Sequence, residues 1–507
     1  MAEIHLTVDV PSRLVDFGSQ TAYLSGLDLA PWPCAWSRSG NVWTLRYDQI
    51  DSPRLSATVS DGAASGWMLA TATLRPRAAP YRLWLELARG TVDRLRNRVA
   101  AWEILGFVPS ASLRRRIGDC GLGFCDAIAA ATDGHRCDVL AIGTIDRAVG
   151  TIRAAAREYV EHLRLESVDA PAGSSTLRGT WLVDEQSLAT ELLGDEPPAD
   201  PEGVASGLEG LVNTIAIAPD WRTIEASPDR WNWERLDRQI EAANGRSWNV
   251  VLGPLISFRR DRWPEWLVDS DDPNEIRRGV QRFIGRMMER YSGQVDLALL
   301  ADRVNLPVDL AWEGPLRLQY VIDAGTTLRR AVDNLPFVVG FTQPFAESQP
   351  RGQDYPAFHL ADALLRANLD VSGFALDFEF GDGFDQTRPR DLCQLLDRLQ
   401  HWNSFGLPLV IATSQFAADD DDEATHPEIA ADDAGAFDPA RWSQPAFGDW
   451  IELLDASRLV HAVFWNHPLD GRFAGRGLVD REGNPTANGR IFRRAFRLPA
   501  PDDTLPG

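Results

Sequence analysis

The 507-residue chain contains no lysine, so all 51 of its basic residues are arginine. That absence excludes Schiff-base chemistry, pyridoxal enzymes and the phosphate-binding lysine of a P-loop. Cysteine is sparse: Cys34, Cys120, Cys125, Cys137 and Cys393 form an odd, loosely spaced set with no CxxC. Neither a disulfide framework nor a zinc ribbon is expected, and the five read as free thiols in a reducing compartment. Positive charge is in deficit, with a formal net charge of -22. Attraction to nucleic-acid phosphates or anionic lipid is therefore disfavoured, and neutral or cationic partners fit better. No stretch of about 18 uncharged apolar residues occurs, and MAEIHLTVDVPSRLVDF lacks a basic segment followed by an apolar one. The expectation is a cytoplasmic protein with no membrane or nucleic-acid partner. The eight histidines show no HExxH or other metal spacing, so neither metal nor cofactor is expected.

What is present is ordinary globular composition, 44% hydrophobic and 24% charged, long enough for a large core and smaller appendages at about 150 residues per domain. Residues 1–78 carry short alternating runs such as IHLTVDV, NVWTLRYD and LSATVS between Gly, Pro, Ser and Asp clusters, which predicts a small β-rich, sandwich-like unit. Across 79–166 the period changes. Leu83, Leu87, Val92, Leu95, Val99 and Trp102 recur at helical steps, and further helices fit Ala111 to Ala131 and Asp146 to Leu165. Ser167 to Ser175 reads as a hinge.

From 176 to 498 the chain alternates apolar β-branched runs with amphipathic helices. The runs start near Gly179, Asn213, Trp248, Val295, Pro336, Gly373, Pro408 and Leu459. Eight such units with crossover returns predict a closed (β/α)8 TIM barrel, in the α/β class. No GxGxxG follows the first strand, which argues against a dinucleotide-binding open sheet. In a barrel the functional residues collect where strands end and βα loops begin.

Several of those segments carry a family pattern. NTIAIAPDWRTIEASPDRWNWERLDRQIEAANG carries strand two and the helix after it, VVLGPLISFRRDRWPEWL strand three, VSGFALDFEFG strand six, GLPLVIATSQF strand seven and AVFWNHPLDG strand eight, before GLVDREGNPTANGRIFR. In this order, between Asn213 and Ala495, they resemble glycoside hydrolase family 10, the xylanase-type retaining glycosidases on a TIM barrel. The resemblance implies carbohydrate as the partner. It also implies an acid/base Glu in an Asn-Glu pair after strand four, where Asp302 stands nearest and follows Ala301. The family nucleophile, a Glu in a Thr-Glu pair ending strand seven, meets Thr413, Ser414 and Gln415 here. Pro254 occupies the place of the strand-three His, and Asp377 and Glu379 occupy those of the strand-six Gln and His. The family's catalytic glutamates are thus not retained in the expected motifs.

Read by themselves, Asp377 and Glu379 share one face of strand six while Phe378 and Phe380 share the other. Two neighbouring carboxylates at a barrel mouth separate their proton affinities, which acid/base chemistry uses; the alternative is a salt-bridge network with arginine. Asp302 is the third catalytic candidate, a general acid or a turn cap. Arg222 offers a fixed fork of donors after strand two, beside Trp221 and Glu225. With Asn305, Trp465 and Asn466 these form the candidate sugar-binding set, in which Trp465 is either a stacking wall or a core residue. The acidic stretch Ala417 to Asp438 lacks calcium-loop spacing and reads as a solvated loop.

The function expected is hydrolysis of a β-linked polysaccharide or oligosaccharide by two carboxylates. The alternative is a catalytically inactive barrel that binds carbohydrate or protein, with the N-terminal region an interaction module.

Overall fold

A computed structural model describes residues 2–14, 21–27, 29–59, 67–167, 176–184, 201–347, 355–381, 386–414, 444–470 and 475–498. Within it, two four-stranded sheets occupy the start of the chain. One runs Cys34–Ser39, Val42–Tyr47, Ala2–Thr7, Tyr81–Arg82 in spatial order; the other runs Pro31–Trp32, Ala22–Ser25, Arg54–Val59, Trp67–Ala70. Alternation explains them, since Ile4, Leu6, Trp43, Leu45, Tyr47, Leu55 and Ala57 turn inward and are buried. Gly40, at φ +64°, supplies the left-handed residue that the turn between Ser39 and Val42 requires.

Three helices follow, Leu83–Ile104, Ala111–Ala129 and Gly134–Ser167. The second is capped by Ser110, whose side chain accepts from the Leu113 amide. The third begins twelve residues ahead of the Asp146 start expected from the sequence. Its buried face continues unbroken through Cys137, Ala141, Ile145, Ala148 and Ile152, and Thr144 and Thr151 satisfy their hydroxyls on carbonyls four residues back. Polar residues there interrupt the pattern in sequence but not the face in space.

The remaining chain forms the TIM barrel. Among the described residues eight parallel strands close a ring: Leu177–Trp181, Thr214–Ile217, Asn249–Leu252, Leu297–Asp302, Phe337–Thr342, Gly373–Glu379, Leu409–Ser414 and Val460–Trp465. The eighth pairs with the first through Ala462 to Trp465 against Leu177 to Thr180, which removes the last free edge. Each strand begins within two residues of its expected start. The ring's interior is its own small cluster of Ala216, Val251, Ala462 and Phe464, flanked by Leu177, Trp181, Leu297, Leu299, Val410 and Ala412. Gly179 makes room for Phe464, because a Cβ there would lie 2.3 Å from the ring.

The outer faces of the strands join the helices in one apolar core that is continuous with the N-terminal sheets and helices. Arginine fastens the parts together. Arg153 and Arg157 both bind Asp449, Arg94 binds Asp391, and Arg164 donates to the Ala495 carbonyl. Among the described residues no helix is long and apolar enough to cross a membrane. Apart from Ser167, the expected hinge lies outside the described residues, as does the acidic stretch Ala417 to Asp438.

Candidate functional site

Strand six, GFALDFE, sets the site by alternation. Phe374, Leu376 and Phe378, with Phe380 beyond the strand end, are buried on the helix side, where Phe374 packs on Trp402 and Phe378 on Trp450. Ala375, Asp377 and Glu379 take the opposite face and keep partial exposure at the barrel mouth. Both carboxylates meet the end of strand eight. Asn466 donates to Asp377 over 2.9 Å, and the His467 Nε2 lies 3.3 Å from Glu379 Oε1.

Glu379 collects further partners. The Gln386 amide donates to it at 3.4 Å, and an Arg476 nitrogen stands 3.9 Å away. Burial alone would raise this carboxyl's proton affinity, but the His467 bond and charge, then Arg476 and Gln386, outweigh it and hold the pKa down to about 2. Glu379 is therefore a carboxylate throughout the neutral range.

Asp302 has the opposite character. It ends strand four, in register with Ser257 of a short strand, Ile256–Ser257, that adds to the barrel's third βα loop. Burial is the largest influence on its carboxyl and pushes it up; the Ser257 hydroxyl and the charges of Arg303, Arg259 and Arg262 offset this only in part. Its Oδ1 is buried without a hydrogen bond, so the ionised form is poorly solvated, the physical cause of the upward shift. Strands four and six flank strand five, which puts their backbones about 10 Å apart at roughly 4.8 Å per strand.

The structure draws Asp377, Glu379 and Asn466 into one constellation and leaves other candidates elsewhere. Trp465 points outward: it is fully buried, packs edge-on against Phe447 and Phe492, and donates to the Arg476 carbonyl. Neighbours on a strand face opposite ways, so Trp465 and Asn466 do not share the mouth. Trp221 stacks on Phe283 under the barrel's second βα loop and donates to Glu225, whose carboxylate also takes the Asp229 amide and Arg282. Both are buried structural partners. Asn305 is spent on strand five, giving its amide to the Thr342 carbonyl at 2.7 Å and taking the Thr342 amide at 3.1 Å. Arg222 is exposed.

Four neighbours of the candidate carboxylates escaped sequence reasoning: His467, Arg476, Gln386 and Ser257. His467 had a local signal, since it follows Asn466 at a strand end. Arg476 and Gln386 come from loops and Ser257 from the two-residue strand Ile256–Ser257, whose contacts no periodicity encodes. At the end of strand seven, Ser414 is buried and stands in register with Glu379, while Thr413 donates to the Phe378 carbonyl. Among the described residues no cluster of His, Cys, Asp and Glu is fit to hold a metal ion.

No family model matches the chain, and no curated protein matches it. Solved structures do. Xylanase 10B of Thermotoga petrophila RKU-1, crystallised with xylobiose, aligns at a TM-score of 0.47 and 13% identity, over 68% of this chain and 97% of that one. Native xylanase 10B of Thermotoga maritima aligns at 0.47 and 13%, over 68% and 98%. An intracellular xylanase of Thermoanaerobacterium saccharolyticum aligns at 0.46 and 10%, over 63% and 96%. At these values the likeness carries no argument about chemistry; the barrel assignment rests on the closed strand pairing itself.

Proposed function

We propose that this barrel cleaves a glycosidic bond in a β-linked oligosaccharide or polysaccharide, using Asp302 as proton donor and Glu379 as the ionised partner. One observation carries the reading: two carboxyl groups at the strand ends of one barrel are driven in opposite directions, Asp302 towards the acid and Glu379 towards the anion. That division supplies the two forms glycoside hydrolysis requires. Asp302 protonates the leaving oxygen as the bond to the anomeric carbon breaks. Glu379 either attacks that carbon or draws a proton from the attacking water. Asp377, oriented by Asn466, lies on the same strand face to accept hydrogen bonds from sugar hydroxyls.

Turnover of β-xylo-oligosaccharides and aryl β-glycosides by the full chain tests this. Asp302→Asn and Glu379→Gln should each reduce kcat by about 100-fold or more, the usual scale for an acid/base group. A wild type without turnover on any β-glycoside overturns it. A second reading, a silent carbohydrate-binding barrel, draws support from Ser414 in place of a strand-seven carboxylate and from the several groups around Glu379. It requires saturable glycan binding without turnover.

A further inference from the structure

The second N-terminal sheet, which holds Ala22–Ser25 and Trp67–Ala70, touches the barrel at its mouth. Arg390, 1% exposed, lies between the loops after strands five and six and donates through Nη2 to Glu347 Oε1 at 2.5 Å and to the Tyr23 hydroxyl at 2.9 Å. Its guanidinium sits 4.0 Å over the Phe345 ring. The second oxygen of Glu347 accepts the Arg388 amide at 3.3 Å. Two further bonds come from the sheet strand Trp67–Ala70: the Met68 amide donates to the Pro389 carbonyl at 2.8 Å, and the Met68 carbonyl accepts from Gln394 Nε2 at 3.0 Å. Tyr23 and Met68 are themselves buried.

The same segment is stitched to strand six. The Thr387 amide donates to the Glu379 carbonyl at 2.7 Å, the Gly381 amide donates back to the Thr387 carbonyl at 3.1 Å, and Gln386 reaches the Glu379 carboxylate. Gln343, just past strand five, donates to the Gln386 carbonyl at 2.8 Å. Residues 386–390 therefore form a strap of a few residues with the N-terminal sheet at one end and Glu379 at the other. Water is excluded along it, so each bond is stronger than its exposed counterpart and costly to leave unmade.

We propose that Tyr23 and Met68 of the N-terminal sheet are positioning residues for Glu379, acting through Arg390 and the strap at residues 386–390. The N-terminal sheet that holds Ala22–Ser25 and Trp67–Ala70 is then part of the site's scaffold, where the sequence suggested an interaction module. This inference rests on the glycosidase reading for its kinetic consequence but not for its structural one.

The test uses the full chain with Tyr23→Phe, which removes only the hydroxyl, and with Gln394→Met, which removes the bond to the Met68 carbonyl together with those to Asp391 and Arg390. Amide hydrogen exchange at residues 386–391 should accelerate about fivefold or more in both variants while residues 2–7 and 42–47 keep the wild-type rate. With an active wild type, kcat should fall about tenfold and KM should stay within about twofold, as expected when a reacting group is displaced and the substrate-binding surface is intact. Unchanged exchange at residues 386–391 overturns the inference, as does an active wild type whose Tyr23→Phe variant keeps its kcat. If the wild type has no turnover, the glycosidase reading fails, and exchange alone decides whether the strap exists.

Discussion

The imidazole of His467 lies 3.3 Å from the carboxylate of Glu379, joining the end of strand eight to the end of strand six across 88 residues of chain. Strand seven runs between them, and its last residue, Ser414, stands in register with Glu379. The bond explains how a carboxylate in a largely apolar barrel stays ionised, because the donors around Glu379 replace the water it loses.

A pH dependence of stability follows. The carboxyl of Glu379 is depressed from 4.5 to about 2, so the folded state binds fewer protons than the unfolded state between those values and stability falls as pH falls. The wild type should exceed Glu379→Gln in stability above pH 4.5, and the gap should close as pH drops towards about 2. Urea denaturation at a series of pH values checks this; a gap that widens on acidification contradicts it.

Asp302 predicts the reverse. Its carboxyl is raised above 3.8 by burial, so the folded state holds its proton more tightly than the unfolded state does, and stability is lost as pH rises through the raised value. Asp302→Asn removes the buried ionisable group. It should raise the Tm at neutral pH and leave it near wild type below pH 3.8, while lowering kcat by about 100-fold or more. A residue that costs stability and carries chemistry is the expected signature of a working acid.

The buried pair of Arg390 and Glu347, 1% and 4% exposed, should be unforgiving. Arg390→Leu alone strands the Glu347 charge and should cost about 3–5 kcal/mol in urea denaturation. The double variant with Glu347→Leu should recover much of that loss. Additive losses would show that the two charges do not depend on each other.

Gly179→Ala places a methyl group 2.3 Å from the Phe464 ring inside the barrel. Overpacking of this kind should cost about 1–3 kcal/mol. Phe464→Leu in the same chain should restore part of it by vacating the space, a coupling that a double-mutant cycle measures.

The barrel was legible in the sequence because its strands are short, apolar and separated by amphipathic helices, some of them capped. Asp272 and Asp391, for example, each accept an amide in the first turn of the helix they precede. Alternation also placed Asp377 and Glu379 on one face. The same parity separates Trp465 from Asn466, a signal that was present and not applied. Trp221 and Glu225 satisfy each other through an indole bond at 3.0 Å, which composition at a strand end does not reveal. Arg476 reaches Glu379 from the segment after strand eight, and Gln386 folds back from the loop that follows strand six itself; nothing local in GRGLVD or QTRPRD marks either contact.

Ring closure through strand eight has a consequence for synthesis. Until Val460–Trp465 has left the ribosome, the first strand lacks the neighbour that completes the cylinder. Without that strand, the first and seventh strands each leave an unpaired border. A chain cut short ahead of residue 460 keeps those borders permanently bare and should self-associate rather than remain monomeric.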